Sequence, residues 1–327
     1  MNVLVVGGAG YIGSHAVRLL ADAGHQVTVY DNLSRGHRQA VPHGMLVEGD
    51  LADRQKLVGT LKENQIEAVM HFAAFALVIE SVNDPALYYR NNVVAAIELL
   101  DAMREADVKK MVFSSTTATY GEPEIIPIAE TTLQQPINPY GFTKLVFERA
   151  LADYSAAYGL GYAALRYFNA AGARPDGSIG EDHTPESHLI PIVLQVALGQ
   201  REAITVFGDD YATPDGTCVR DYIHVDDLGA AHLAALERLE PGKGICVNLG
   251  TGRGTSVREI IEACREVTGH PIPEVMGPRR AGDPPELVAD ARLAEEVLGW
   301  KTRYNDVRSI VETAWNWHQS HPRGYLG

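Results

Sequence analysis

Short apolar runs alternate with longer stretches of helical spacing through the first half of the chain. Val3–Val6, Val27–Tyr30, Met45–Val47, Ala68–Ala73, Met111–Ser114 and Tyr162–Tyr167 are rich in β-branched and aromatic residues, and several are apolar on consecutive positions. That is the pattern of parallel strands covered on both faces. Between them, Ser14–Ala23, Asp53–Glu63, Pro85–Glu105 and Tyr140 to about Tyr158 carry helical spacing. The stripe on Pro85–Glu105 is wider than one core face needs. The alternation predicts an α/β fold, a doubly wound parallel sheet with right-handed crossovers.

After Asn169 the texture changes. Ala170–Pro185 is rich in Gly, Pro and charge and reads as a loop entering a second region. A helix (Leu189–Leu198), a strand (Ile204–Phe207), a long loop (Gly208–Cys218) and the segment Asp221–Val225 follow. Next come a helix to about Leu239, a strand at Ile245–Leu249 and a helix near Val257–Thr268. A Pro/Arg/Gly loop at Pro278–Pro285 and two further helical stretches complete the chain. With no clean linker, the second, smaller α/β region is expected to interleave with the first. Residues 1–168 plus about 222–250 form one unit, and 169–221 plus about 251–327 form the other. The crevice between them is the natural ligand site.

Composition narrows the function. The 327 residues carry 28 Lys plus Arg against 42 Asp plus Glu, a formal charge of −14. Such a surface repels nucleic acid and anionic membrane. Three cysteines (Cys218, Cys246, Cys264), none in a CxxC pair, exclude a disulfide scaffold and a zinc ribbon and fit a reducing compartment. The twelve histidines are scattered and show no HExxH spacing, so no metal site is expected. No run of about 18 apolar residues occurs, and the apolar run beginning at Asn2 leaves no room for a leader. A cytoplasmic globular protein is the expectation.

Gly7-Gly8-Ala9-Gly10-Tyr11-Ile12-Gly13 follows the first strand and opens the first helix. Glycines at 7, 10 and 13 suit a tight turn, close approach to a pyrophosphate and helix–sheet packing. The helix N-terminus offers N–H donors to the phosphates. Asp31 ends the second strand about 20 residues on, where a ribose-binding acid belongs. A carboxylate there repels a 2′-phosphate, so the expected cofactor is NAD rather than NADP, although Arg35 lies close by in sequence.

Tyr140 and Lys144 lie one helical turn apart on the same face. A phenol titrates near pH 10, so a tyrosine base at neutral pH needs about 4 kcal/mol of extra stabilisation of its phenolate. A neighbouring ammonium supplies part of this and the positive ring of oxidised NAD supplies more. Oxidised cofactor therefore favours the base that takes a hydroxyl proton, and reduced cofactor favours the acid that returns it. Thr116 places a hydroxyl near a strand terminus, where ligands bind.

These motifs identify the chain as resembling extended short-chain dehydrogenases/reductases, with a Rossmann domain, and specifically the UDP-glucose (UDP-galactose) 4-epimerase family. Beside the glycine turn and Tyr140–Lys144, the resemblance rests on Asp31-Asn32, Gly49–Leu51, His71–Ala74, Asn91–Val93, Phe113–Gly121, Arg166–Gly172 and Val219–Asp227. It spans essentially the whole chain. It implies that Tyr140 deprotonates the sugar 4-hydroxyl, Thr116 holds the reacting oxygen, and Lys144 binds the nicotinamide ribose. It implies NAD contacts from Gly7, Gly10, Tyr11, Ile12, Gly13, Asp31, Asn32, Asp50, Leu51, Phe72, Ala73, Asn91, Ser114 and Tyr167. It implies that the UDP-sugar is held by Asn169, His188, Leu189, Thr205, Val206, Phe207, Arg220, Arg280, Asp283 and Leu287, and that the protein is a homodimer built on the helices within 87–103 and 140–158.

Neighbouring chemistries fit less well. Nucleotide-sugar 4,6-dehydratases need an acid–base pair after the hydroxyl residue, where this chain has Thr117 and Ala118. Decarboxylases carry a Ser-Glu pattern that is absent here. Ala76 replaces a lysine, His188 an asparagine and Leu287 a tyrosine found in some relatives. The smaller Leu287 suggests tolerance of a 2-acetamido sugar. Turnover of a UDP-pentose, UDP-hexuronate or UDP-N-acetylhexosamine stays open, as does a non-catalytic NAD sensor, although a sensor needs none of Tyr140, Lys144 and Thr116.

Overall fold

The computed structural model describes residues 1–41, 45–280 and 282–326. The expected doubly wound sheet forms, and its strands fall where the apolar runs lie. Six come from the first half: β1 (Asn2–Val6), β2 (Gln26–Asp31), β3 (Met45–Glu48), β4 (Ala68–His71), β5 (Lys110–Thr116) and β6 (Gly161–Tyr167). After β7 (Asn169–Ala171), β8 (Ile204–Phe207) and β9 (Val219–His224), the strand β10 (Gly244–Leu249) returns to pair in parallel with β6. The order is β10-β6-β5-β4-β1-β2-β3, with every pair parallel. The direction of winding reverses between β1 and β4, which opens a crevice at the carboxyl ends of those strands.

The first helices are α1 (Tyr11–Asp22), α2 (Arg54–Glu63), α3 (Val78–Asn83), α4 (Pro85–Tyr89), α5 (Ala96–Glu105) and α6 (Pro139–Tyr158). The reading of Pro85–Glu105 as one helix needs correction. Residues Arg90–Ala95 form a π-helical turn between α4 and α5. The Asn92 side chain explains why the wider turn is held: it accepts from Phe75 N at 2.9 Å and donates to Phe75 O at 2.9 Å and Thr143 Oγ1 at 3.2 Å. The sequence pattern also gave no sign of α3, whose apolar residues are largely exposed. Helix α6 begins one residue early because Asn138 caps it, accepting from Gly141 N, and Pro139 occupies the first turn. It stops at Gly159 in the left-handed conformation.

A second layer is built from α7 (Leu189–Ala197), α8 (Val225–Arg238), α9 (Val257–Thr268), α10 (Arg292–Leu298) and α11 (Val307–Ser320), with the short strands β11 (Gly254–Ser256), β12 (Glu274–Gly277) and β13 (Glu286–Leu287). Strand β9 joins β7, β11 and β13 in a small sheet, and β8 pairs β12 in another. Tyr222–His224 thus sit in the small sheet, and the chain returns to the large one with α8, which packs on α1. Ala294, Leu298 and Trp300 also pack into the core over the large sheet. The small layer has its own core from α7, α9 and α11. Repeated crossings between layers leave the crevice walled on one side by strand ends and on the other by residues within 168–188.

Candidate active site

The crevice has a volume of about 330 Å3, within the range of sites that enclose small molecules. Its floor is the turn after β1. Gly7 sits at φ +79, and a Cβ there would lie 2.4 Å from Ala73 N; at Gly13 it would lie 2.2 Å from Gly7 O. Two glycines are therefore fixed by backbone on backbone, leaving a bare amide surface. Gly10 starts α1 with no side-chain cap, so the first-turn amides serve a bound anion instead. Asp31, nearly buried at the end of β2, accepts from Ala9 N at 3.0 Å and Leu33 N at 2.8 Å, one amide to each carboxylate oxygen. Each oxygen keeps a lone pair for a ribose hydroxyl. Burial pushes its pKa up while those amides oppose the rise. Arg35 lines the crevice too, but its guanidinium is already engaged, donating to Glu80 at 2.7 Å. These residues fit NAD.

The expected reactive groups line the same crevice. Thr116 ends β5, Tyr140 opens α6, and Lys144 follows one turn later. The Lys144 ammonium donates to Ser114 O at 2.8 Å and lies 6.0 Å from the centre of the Tyr140 ring. The electrostatics differ from the sequence expectation. Burial raises the Tyr140 phenol above its ordinary value, with the Thr116 hydroxyl opposing the rise. Burial also lowers Lys144 to about 7, with the Glu148 carboxylate pulling the other way. An ammonium that is half discharged at neutral pH is a weak acidifier of its neighbour. The protein alone does not make this phenol acidic, because desolvation outweighs the hydrogen bond from Thr116.

Beneath the site lies a network that the sequence reading missed. Glu148, on α6 one turn beyond Lys144, forms a buried pair with Arg166 of β6, with Nη2–Oε2 2.6 Å and Nε–Oε1 2.9 Å. Ser115 donates to the same carboxylate at 2.5 Å. Arg166 also donates to the Tyr120 hydroxyl at 2.9 Å, and that hydroxyl donates to Asn248 at 2.8 Å. The network ties α6 to three adjacent strands, so it fixes where Tyr140 and Lys144 stand. A helical i,i+4 search from Lys144 finds Glu148; its arginine partner is a long-range fact that spacing does not carry.

Every residue expected to touch NAD lines the crevice, as do Thr116, Asn169 and His188. The remaining expected substrate contacts lie elsewhere. Arg280 and Asp283 border a second hollow together with Tyr211 and Arg279. Arg220 pairs with Asp283 and donates to Val219 O at 2.8 Å. The Arg280 guanidinium sits 4.0 Å from the centre of the Phe207 ring. Val206 is corrected: its side chain is buried in the small-layer core, because alternation along β8 turns Thr205 and Phe207 outward instead. Leu189 packs partly on that core, and Leu287 packs on a small cluster of Tyr120, Ile128, Phe168 and Ala289, of which Phe168 lines the crevice. Ala281, inside the Pro278–Pro285 loop, lies outside the described residues. The Nδ1 of His188 stands 2.6 Å from Glu181 Oε1, which leaves its other ring nitrogen for a ligand in the crevice. Burial disfavours charge on His183 and His188, but the carboxylates of Glu181 and Glu186 override it, raising the pair to about 9 and about 10.

Comparison with known proteins agrees with this geometry. Residues 3–250 match the description of the NAD dependent epimerase/dehydratase family. The UDP-glucose 4-epimerase of Halalkalibacterium halodurans is 56% identical over 326 residues, 99% of this chain and 98% of its own. A structure of UDP-glucose 4-epimerase from Brucella ovis in complex with NAD superposes with TM-score 0.94 at 56% identity, covering 96% of this chain and 97% of that one. The Bifidobacterium longum UDP-glucose 4-epimerase in complex with NAD+ and UDP superposes with TM-score 0.95 at 39% identity, over 99% of this chain and 100% of that one. With the glycine cradle, the Asp31 carboxylate and the Thr116–Tyr140–Lys144 group all in one crevice, and with likeness of this extent, the chain belongs to the NAD dependent epimerase/dehydratase family.

Proposed function

We propose that the protein interconverts UDP-galactose and UDP-glucose by inverting C4 of the hexose with a retained NAD. The observation that carries this is the convergence of Thr116, Tyr140 and Lys144 beside the Asp31 ribose site in one crevice. The bound dinucleotide supplies the acceptor for the C4 hydride and the donor that returns it. Tyr140 takes the 4-hydroxyl proton as the C4–H bond breaks and gives it back after the 4-keto sugar has turned its other face. Thr116 hydrogen-bonds the reacting oxygen. Lys144 binds the nicotinamide ribose, which requires its Nζ to keep a free donor beside the bond to Ser114 O. Because burial raises the phenol, the proton leaves readily only while a positive charge stands next to Tyr140, so proton and hydride transfer are linked.

Proton NMR of UDP-galactose mixed with purified protein and no added NAD tests the proposal. Appearance of the gluco anomeric signal supports both reaction and retained cofactor; an unchanged spectrum refutes them. A second reading, turnover of a 2-acetamido sugar, is favoured by the small side chain of Leu287, which packs on the cluster that includes Phe168 of the crevice wall. Turnover of UDP-glucose with none of UDP-N-acetylglucosamine would remove it.

The same reading makes the protein a cytoplasmic homodimer with no membrane or nucleic-acid partner. Support comes from three unpaired cysteines and from an apolar face shared by α4, the π turn and α6. Tyr89, Val94, Phe142 and Tyr158 are exposed there, with the Tyr89 and Phe142 rings 6.3 Å apart. Among the described residues no helix is long and apolar enough to cross a membrane. The cofactor unit comprises 1–168 with about 222–250, and the packing of α10 and Trp300 adds 292–300 to it. The remainder is the nucleotide-sugar unit.

A further inference from the structure

Glu181, His183, Glu186 and His188 present four ligand atoms that all lie within 4.8 Å of one another. They come from one eight-residue span that enters α7. The spacing 2-3-2 resembles no helical metal motif, so periodicity does not announce it. The closest pairs are His188 Nδ1–Glu181 Oε1 2.6 Å, His183 Nδ1–Glu181 Oε1 3.2 Å, His188 Nδ1–Glu186 Oε1 3.4 Å and His183 Nδ1–Glu186 Oε2 3.8 Å. Four ligands at about 2.1 Å from a tetrahedral zinc ion stand about 3.4 Å apart. The observed set brackets that edge length.

A second observation points to a ligand. The Glu181 side chain is 4% exposed, yet its Oε1 has no aligned hydrogen-bond donor, and the buried Nδ1 of His183 likewise has no aligned partner. Buried polar atoms left in this state are costly. One cation at the common centre satisfies both at once, with imidazole lone pairs and carboxylate oxygens as ligands. The Glu186 side chain is only 5% exposed, so two nearly dry carboxylates share the spot, and a divalent cation there takes the place of the two imidazolium charges that otherwise offset their repulsion.

We propose that Glu181, His183, Glu186 and His188 bind one divalent transition-metal ion, of the zinc class, in a structural role. Two imidazoles with two carboxylates suit zinc among the common cations, and four protein ligands close the shell, the mark of a structural rather than a catalytic centre. The site has a clear mechanical purpose. His183 meets the edge of Tyr11, in the first turn of α1, at 6.1 Å between ring centres. The Glu181 carbonyl accepts from Trp317 Nε1 of α11 at 3.1 Å. A cation there fastens the crevice wall to both the cofactor turn and the C-terminal helix. His183 and His188 also line the crevice, and the test reads bound metal, so it does not depend on epimerase activity.

Untagged protein is stripped with a chelator, dialysed, exposed to zinc sulfate, and analysed for metal by plasma mass spectrometry and by competition with a chromophoric chelator. The proposal expects about one zinc per chain, and at least about tenfold weaker binding in Glu181→Gln and in His183→Gln, each variant removing one of four ligands. Cobalt(II) in place of zinc is expected to give the intense visible absorption of four-coordinate cobalt in wild type and to lose it in the variants. Circular dichroism and melting curves show which variants fold; should Glu181→Gln fail to fold, His183→Gln and the wild-type cobalt spectrum decide. Wild type that takes up no zinc, a six-coordinate cobalt spectrum, or variants that hold zinc as tightly as wild type would overturn it.

Discussion

The two ends of the nucleotide-sugar path are built on opposite plans. At the cofactor end, the functional groups stand on strand termini and on α6, mostly buried, and each is held by backbone or by the Glu148–Arg166 network. At the expected nucleotide end, the groups stand on short strands and on the 278–285 loop, partly exposed, and their charges are spent on one another: Arg220 on Asp283, Arg279 on Asp210, Arg280 on Phe207. The first end is shaped before anything binds. The second must exchange internal partners for a ligand. Chemistry that tolerates little displacement is placed on the sheet, and recognition that must open and close is placed on loops.

Substitutions at the two ends should therefore fail differently. Tyr140→Phe is expected to cut kcat by about 10^3- to 10^4-fold, the scale of a lost general base, while NAD stays bound. Wild-type turnover in this variant would end the assignment of the cofactor end. Glu148→Gln leaves Arg166 buried and unpaired, and should cost about 3–5 kcal/mol in urea unfolding. A cost below 1 kcal/mol would show that the rigid end is not held by this pair. By contrast, Arg220→Ala should raise KM for a UDP-sugar about 10- to 100-fold, as expected for a lost charge-assisted hydrogen bond, with kcat nearly kept. An equal loss in kcat would mean that this end, too, is preset for the reaction.

A pH experiment separates the ends further. Lys144 titrates near 7 when folded and near 10.5 when unfolded, so between those values the unfolded chain holds the extra proton. Raising pH through that window favours the folded state. Cofactor-free wild type should therefore gain melting temperature relative to Lys144→Met between about pH 7 and 10. Parallel curves would contradict the burial penalty. The smallest effect is expected at Ser256, which caps α9 in a reciprocal pair with Glu259 away from the crevice. Ser256→Ala should cost about 1 kcal/mol of stability and leave both ends working.

The same contrast explains what could be read from the chain. Gly7, Gly13, Asp31, Tyr140 and Lys144 act through neighbours in sequence or through a strand–turn–helix register, so spacing alone located them. The strands of the large sheet were legible because burial on both faces writes continuous apolar runs. Strands β11, β12 and β13 span two to four residues each, too short for any period to show. The π turn depends on Asn92 reaching Phe75, and the Arg166–Glu148 pair spans 18 residues. Alternation along β8 buries the Val206 side chain and turns Thr205 and Phe207 outward, a distinction that the short apolar run does not carry. Lys144 was expected to acidify its neighbour because sequence reports charge and not the burial that discharges it.

Strand β10 has a consequence for how the chain is made. It occupies the sheet edge beside β6, yet 76 residues separate Tyr167 from Gly244. While the polypeptide leaves the ribosome, the nascent sheet ends at β6 with an open margin and waits for the whole intervening excursion to emerge. Cotranslational assembly of the large sheet cannot finish before residues 168–243, which open the second layer, are already out. Severing the gene between the layers would leave each fragment with an unfinished seam.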